Sequence, residues 1–193
     1  MPPKPRPGVF CLEGPWNSAL EDKSTVEPVL QLLENRKRIK FIHRETATRE
    51  EFTHYMQTWA KPRYAAYKFG YLAFHGSNGV ISIGRTDISL DEVGTILEGQ
   101  LAGRTLYFGS RGTLRVQQDH LHAFRDRTKA RAVCGYTRNI DWIESAAFEL
   151  NLMQTYADFS RIGNAFNFLR RTHPEPLQRL GFRAVWENGS IWD

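Results

Sequence analysis

Two short apolar runs that end at glycine constrain the fold of this chain more than any other feature. They are residues 71–76, YLAFHG, and residues 105–112, TLYFGSRG. Aromatic-rich runs of this length, bounded by glycine, are typical of central strands in a parallel sheet. Sites in open α/β sheets lie just beyond the carboxyl ends of such strands. We therefore expect His75, Ser110 and Arg111 to share one rim of a sheet.

Strand and helix patterns alternate along most of the chain. The capping patterns at Ser24, Thr48 and Ser89 predict the starts of three helices, and a long helix is expected over 140–157 with Asp141 at its N-cap. A further helix is expected over 114–127. The predicted strands are 9–12, 39–43, the two apolar runs and 130–136, while 182–192 is either a last strand or a packed tail. This order predicts an α/β fold, a mainly parallel sheet in a three-layer sandwich with helices on both faces.

Composition sets the class of protein. Residues 1–7 hold four prolines and predict a flexible arm, which leaves residues 8–193 for a single domain. The 26 basic residues are interleaved with 21 acidic ones, so a mixed, solvated surface is favoured over a nucleic-acid interface. No apolar window is long enough to span a membrane, and Cys11 and Cys134 lie in apolar runs as buried thiols. We expect a reduced, cytoplasmic protein, although a disulfide between adjacent strands stays open.

The spacing around the rim allows one kind of chemistry and argues against others. A histidine base beside a hydroxyl nucleophile, with glycine amides to stabilise an oxyanion, is the arrangement of nucleophilic catalysis. Residues 76–79, GSNG, lack the lysine and the glycine count of a phosphate-binding loop, so no cofactor is expected. His120 and His122 fall on opposite sides of a predicted helix, and no metal site is expected.

Five blocks together resemble a known family. They are YLAFHG, the following GVISIG arm, DISLDE at the next helix start, LYFGSRG, and AVCGY on the strand after it. Over about residues 8–160 the chain resembles the caspase-like fold, the clan of caspases, legumains, gingipains and bacterial CHAT domains. It is also similar to small stand-alone bacterial proteins of unknown function with a segment like 141–148, DWIESAAF.

The resemblance implies roles for the residues at the rim. His75 would be the general base of a peptidase, and the amide of Gly76 would be an oxyanion donor. The family's nucleophilic cysteine is absent. One alignment places Ser110 there, followed by Arg111 and Gly112, and the other places Arg111 there. Arginine cannot attack a carbonyl, and serine lacks the low pKa of a thiol.

We therefore expect a caspase- or CHAT-like pseudopeptidase with a binding or regulatory role, which the resemblance would place in bacterial defence or cell death. One alternative is an active hydrolase that uses Ser110 with His75. Another is a nucleotide- or anion-binding α/β module that uses the basic rim. Pocket candidates are Asp141, Glu144 and Ser145, and either carboxylate could pair with Arg111. The expected partner is a protein or peptide rather than nucleic acid or a membrane.

Overall fold

The computed structural model describes residues 6–191, which form ten strands and seven α-helices. The strands are β1 (Gly8–Glu13), β2 (Lys40–Glu45), β3 (Tyr67–Ala73), β4 (His75–Ser77), β5 (Val80–Ile83), β6 (Thr86–Ser89), β7 (Thr105–Phe108), β8 (Ala132–Tyr136), β9 (Phe182–Trp186) and β10 (Gly189–Ile191). The helices are α1 (Glu27–Asn35), α2 (Arg49–Ala60), α3 (Leu90–Ile96), α4 (Gln118–Thr128), α5 (Trp142–Asp158), α6 (Ile162–Thr172) and α7 (Pro174–Leu180).

Seven strands make the main sheet, in the order β10-β9-β8-β7-β3-β1-β2. The five strands from β8 to β2 are parallel, whereas β9 pairs antiparallel with β8 and β10 pairs antiparallel with β9. The predicted mainly parallel sheet with helices on both faces is therefore confirmed. The arm after β3 is a separate antiparallel sheet of three strands, β4-β5-β6. The predicted strand 71–76 is therefore divided: β3 of the main sheet ends at Ala73, and His75 begins the first strand of the arm.

The main sheet divides the core into two apolar layers. Along β1, Val9 and Cys11 face one layer while Phe10 and Leu12 face the other, as the alternation of a strand requires. Helices α1, α5, α6 and α7 cover the first layer, and α2, α3 and α4 cover the second. Cys11 and Cys134 are free, buried thiols, and β3 and β7 lie between their strands. Burial and the charges of nearby glutamates raise the pKa of Cys11.

Three of the four predicted capping residues, Thr48, Ser89 and Asp141, cap a helix in the structure. Thr48 accepts a hydrogen bond from the amide of Glu51, and Ser89 forms a full capping box with Glu92. The prediction at Ser24 is wrong, because α1 begins at Glu27 with Val26 as N-cap. The carboxylate of Glu13 accepts the Val26 amide at 2.8 Å, and the Thr25 hydroxyl accepts the Glu27 amide at 3.1 Å.

The remaining differences lie near the ends of elements. Helix α4 begins at Gln118 rather than residue 114, since the Leu114 amide donates to the carbonyl of Tyr136 at 2.9 Å. The tail forms a hairpin of β9 and β10, and Trp192 lies outside the described residues, as do residues 1–5 of the predicted arm. None of the helices within 6–191 combines the length and apolar character needed to cross a bilayer.

Candidate functional site

A cleft opens at the carboxyl edge of the main sheet where the chain changes direction. From β1 the chain moves outward to β2 and then crosses back to β3 on the other side of β1. Loops that leave β1 and β3 therefore diverge, which is where open α/β sheets hold their ligands. The resulting cleft has a volume of about 320 Å³. Its wall includes Trp16, Tyr71, Phe74, His75, Arg111, Asp141, Trp142, Ser145 and Glu149.

His75 stands at the mouth of the cleft with both ring nitrogens engaged. Its Nε2 lies 2.8 Å from the carbonyl oxygen of Trp16, and its Nδ1 lies 3.3 Å from Nη2 of Arg111. Because a guanidinium can only donate, Nδ1 is the acceptor and the ring carries its proton on Nε2. The indole of Trp16 meets the imidazole edge to face, with centroids 5.3 Å apart. His75 is thus fixed by the backbone of one loop and the side chain of another.

Ser110 does not reach His75. Its side chain is 0% exposed, and its Oγ has no hydrogen-bond partner within residues 6–191. A Cβ added to Gly76 would lie 2.7 Å from the Cβ of Ser110, so Ser110 packs beneath the arm. The structure brings Arg111, and not Ser110, to the histidine. A hydrolase that uses Ser110 lacks the required contact between nucleophile and base in this arrangement.

Gly76 and Gly112, the two glycines expected near an oxyanion, are required for different structural reasons. Gly112 adopts φ +70, a conformation that favours glycine, and its amide donates to the carbonyl of Arg138 at 3.1 Å. Gly76 lies in β4, where Thr113 and Ser110 leave no room for a side chain. The amide of Gly112 is therefore already engaged.

A buried carboxylate forms the floor of the cleft. Glu149 accepts hydrogen bonds from the hydroxyls of Tyr71 and Tyr107, each at 2.7 Å. Burial raises the pKa of Glu149 to about 7, even though both tyrosine hydrogen bonds lower it. Sequence reasoning missed this residue. The available signal was a glutamate on the helix face that also carries Phe148 and Leu152.

A second carboxylate holds the loop that carries Trp16. Glu13, at the end of β1, accepts hydrogen bonds from the Thr25 hydroxyl at 2.7 Å and from the indole of Trp16. Its Oε2 also lies 2.6 Å from Nε2 of His43. Burial lowers the pKa of His43, but the hydrogen bond and charge of Glu13 outweigh burial, so the net change is upward. The wall formed by Trp16 is therefore anchored to the sheet.

The start of α5 supplies the opposite wall. Asp141 caps the helix by accepting the amides of Ile143 and Glu144 at 2.9 Å and 3.0 Å. Glu144 forms an ion pair with Arg179, and the Ser145 hydroxyl donates to the carbonyl of Trp142 at 2.9 Å.

The predicted pairing of Arg111 with Asp141 or Glu144 is not found within 6–191, where the contact of Arg111 is with His75. No cluster of metal-ligating side chains occurs in this described part of the chain.

The fold and the cleft define a class: three-layer α/β proteins with a ligand-sized cleft at the carboxyl edge of a mostly parallel sheet. Within this class the chain belongs to DUF6642, a family of unknown function whose profile matches residues 7–186. No curated protein matches the chain.

Proposed function

We propose that this protein is a caspase-like peptidase homologue that binds a peptide or protein segment in the cleft without cleaving it. The observation that carries the proposal is the contact between Arg111 and Nδ1 of His75 at 3.3 Å. A guanidinium there occupies the nitrogen that a base would use, and it cannot serve as a nucleophile. The resemblance supports a regulatory role, with bacterial defence or cell death as the setting that it implies, and the two free cysteines are consistent with a reduced cytoplasm.

Apolar groups around the cleft support a peptide or protein ligand. The indoles of Trp16 and Trp142 pack edge to face with centroids 4.6 Å apart, and Trp142 is 38% exposed. Both indoles line the cleft, together with the side chains of Val26, Val29 and Phe74. A partly exposed tryptophan beside an apolar cleft suits a peptide ligand, since tryptophan is enriched among the residues that dominate binding.

The absence of hydrolysis is tested directly on the wild-type protein. We expect no turnover of a peptide library and no labelling of Ser110 by a fluorophosphonate, since the Ser110 hydroxyl is buried away from His75. Labelling that disappears in both Ser110→Ala and His75→Ala would overturn the proposal in favour of a serine hydrolase.

Cysteine substitution identifies which residue occupies the nucleophile position. In Arg111→Cys we expect iodoacetamide to label the new thiol, and in the background of His75→Ala we expect slower labelling. Ser110→Cys should stay protected because that side chain is 0% exposed, and the native cysteines are buried as well. Arg36→Cys, at the exposed position directly after α1, measures the rate of an ordinary thiol. Rapid labelling of Ser110→Cys with protection of Arg111→Cys would favour the other alignment.

Binding is measured with peptides selected from a random library, using the fluorescence of the cleft tryptophans. Replacing Trp142 by alanine should weaken a selected peptide by about tenfold or more, as expected for a central aromatic contact. Leu32→Ala is the matched control, because Leu32 is 50% exposed on α1 and does not line the cleft. Equal effects of the two substitutions would mean that the cleft is not the binding site.

A further inference from the structure

The carboxylate at the floor of the cleft forms no ion pair within residues 6–191. It belongs to Glu149, which is 3% exposed and lines the cleft. Burying a carboxylate is costly unless a cation pairs with it. We infer that the cleft binds a primary ammonium group on an alkyl chain, with Glu149 as its partner. This deepens the proposed function and rests on it for the site, because it names the side chain that a bound segment places in the cleft.

Glu149 keeps acceptor positions for such a ligand. The hydroxyls of Tyr71 and Tyr107 donate to Oε2 and Oε1, each at 2.7 Å. An ionised carboxylate offers about four acceptor positions, so the two tyrosines leave about two for a ligand. Their hydrogen bonds also favour the ionised form of Glu149 and hold its carboxylate in one orientation. The acceptor is therefore in position before a ligand binds, which lowers the entropy lost on binding.

The apolar part of the cleft wall suits the alkyl chain of the ligand. It includes Val26, Val29, Phe74 and the indoles of Trp16 and Trp142. The two indole planes meet at 86°, so they form a corner beside the cleft. The methylenes of a lysine side chain pack along apolar surfaces while its charged end reaches a polar partner, and an aromatic face attracts a cation. An alkylammonium ligand can therefore bury its chain here and still pair its charge.

The charges that line the cleft favour a cation over an anion. They belong to Arg111, Asp141 and Glu149, so acidic groups outnumber basic ones when Glu149 is ionised. Arg111 is exposed and contacts His75 at the mouth, where solvent screens its charge. Glu149 is buried, and screening is much weaker there. A compact ammonium also fits better than a planar guanidinium, which pairs with both oxygens of a carboxylate at once, because each oxygen of Glu149 already accepts from a tyrosine.

The test is isothermal titration of the whole protein at pH 8, above the pKa of about 7 of Glu149. The ligands are N-acetyl-lysine methylamide, butylamine, and the norleucine analogue of the lysine derivative, which keeps an alkyl chain but has no ammonium. We expect the lysine derivative to bind about tenfold or more tightly than the norleucine analogue, as for a charged hydrogen bond. Equal binding of butylamine would identify a free alkylammonium as sufficient, and tighter binding of the lysine derivative would add the peptide backbone.

A matched pair of variants assigns the binding to Glu149. Glu149→Gln should weaken the lysine derivative by about tenfold or more and leave the norleucine analogue unchanged. Glu50→Gln is the control, because Glu50 is exposed in the first turn of α2 and does not line the cleft. Unfolding midpoints establish that both variants are folded, and the comparison of ligands on the wild type needs no variant.

Three results would overturn the inference. The first is no heat of binding for butylamine and the lysine derivative at millimolar concentration. The second is equal affinity for the lysine derivative and its norleucine analogue. The third is an equal loss of affinity in Glu149→Gln and Glu50→Gln, which would indicate attraction to net charge alone.

Competition separates this inference from the proposed function. If library peptides bind the wild type, lose affinity in Trp142→Ala and are not displaced by butylamine, the peptide site stands and the ammonium site is wrong. If butylamine binds through Glu149 and no library peptide binds, the ammonium site stands and peptide binding is wrong.

Discussion

The most unusual single residue is Glu149, a carboxyl group buried beneath the cleft. Burial raises its pKa from 4.5 to about 7, so between these values the folded protein holds a proton that the unfolded chain releases. Stability should therefore fall as pH rises from about 4.5 to 7, by roughly 3 kcal/mol for this group. Glu149→Gln cannot titrate and should lose this component, which chemical unfolding at pH 5 and pH 8 measures.

The pH dependence of unfolding needs a control variant, because His43 also lowers stability as pH rises. Its pKa is raised in the folded state, so the stability that it contributes is present below 6.5 and is lost as pH rises through the folded pKa. Glu149→Gln should retain that component, and Glu21→Gln, at an exposed position, should behave like the wild type. A wild-type pH dependence in Glu149→Gln would contradict the assignment.

Glu13 is a second buried carboxylate, and its hydrogen bonds hold the loop that forms one wall of the cleft. It accepts hydrogen bonds from Trp16, Thr25, the amide of Val26 and His43, so both oxygens are fully used. Glu13→Gln would replace one acceptor by a donor and leave a buried donor without a partner. We expect a loss of roughly 2 kcal/mol in the free energy of unfolding, measured with urea. A loss no larger than that of the exposed Glu21→Gln would show that Glu13 is not the anchor.

At the scale of elements, α5 depends on the cap that also borders the cleft. Asp141→Ala removes the acceptor of two helix amides and should lower the free energy of unfolding by about 1 kcal/mol. Asp141→Asn keeps a capping oxygen and should retain most of that stability. Asp119→Ala is the matched control, since Asp119 is exposed in the first turn of α4 and that helix has no side-chain cap. Similar losses in Asp141→Ala and Asp119→Ala would contradict the capping role.

The elements also show which features are encoded locally. The starts of α2, α3 and α5 follow from residues within one turn, and sequence patterns predicted them. The start of α1 depends on Glu13, which is 13 residues from Val26, and no local pattern reports such a contact. The predicted start of α4 is wrong for the same reason: Leu114 and Val116 suit a helix, but the Leu114 amide bonds to Tyr136 of β8 and both carbonyls accept from Arg183.

The candidate site shows the same difference between features that local sequence encodes and features that depend on distant contacts. Parallel strands must present their ends at one edge, so the sequence could place His75 and Arg111 on a common rim. It could not show that Ser110 turns under the arm, because that orientation depends on packing against Gly76. Nor could it bring Trp16 to His75, since their contact joins residues 59 positions apart.

At the scale of the whole molecule, both apolar layers share one sheet, so we expect them to unfold together. Leu30 lies in the layer under α1 and Leu121 in the layer under α4, and both are 0% exposed. Replacing either by alanine should lower the free energy of unfolding by about 2–5 kcal/mol. Tryptophan fluorescence and far-ultraviolet circular dichroism should still give coincident curves in each variant.

Leu32→Ala provides the reference for this experiment, because Leu32 is half exposed and should change stability by no more than about 0.5 kcal/mol. Separate transitions in the two core variants would mean that the layers unfold independently.

The position of Arg111 has a thermodynamic consequence, because its side chain lines the cleft and also contacts Nδ1 of His75 at 3.3 Å. A ligand that draws the guanidinium away from His75 gives up that contact, and the lost free energy is subtracted from the free energy of binding. A ligand that leaves the contact in place carries no such penalty. Of two ligands with equal contacts of their own, the one that spares this pair therefore binds more tightly.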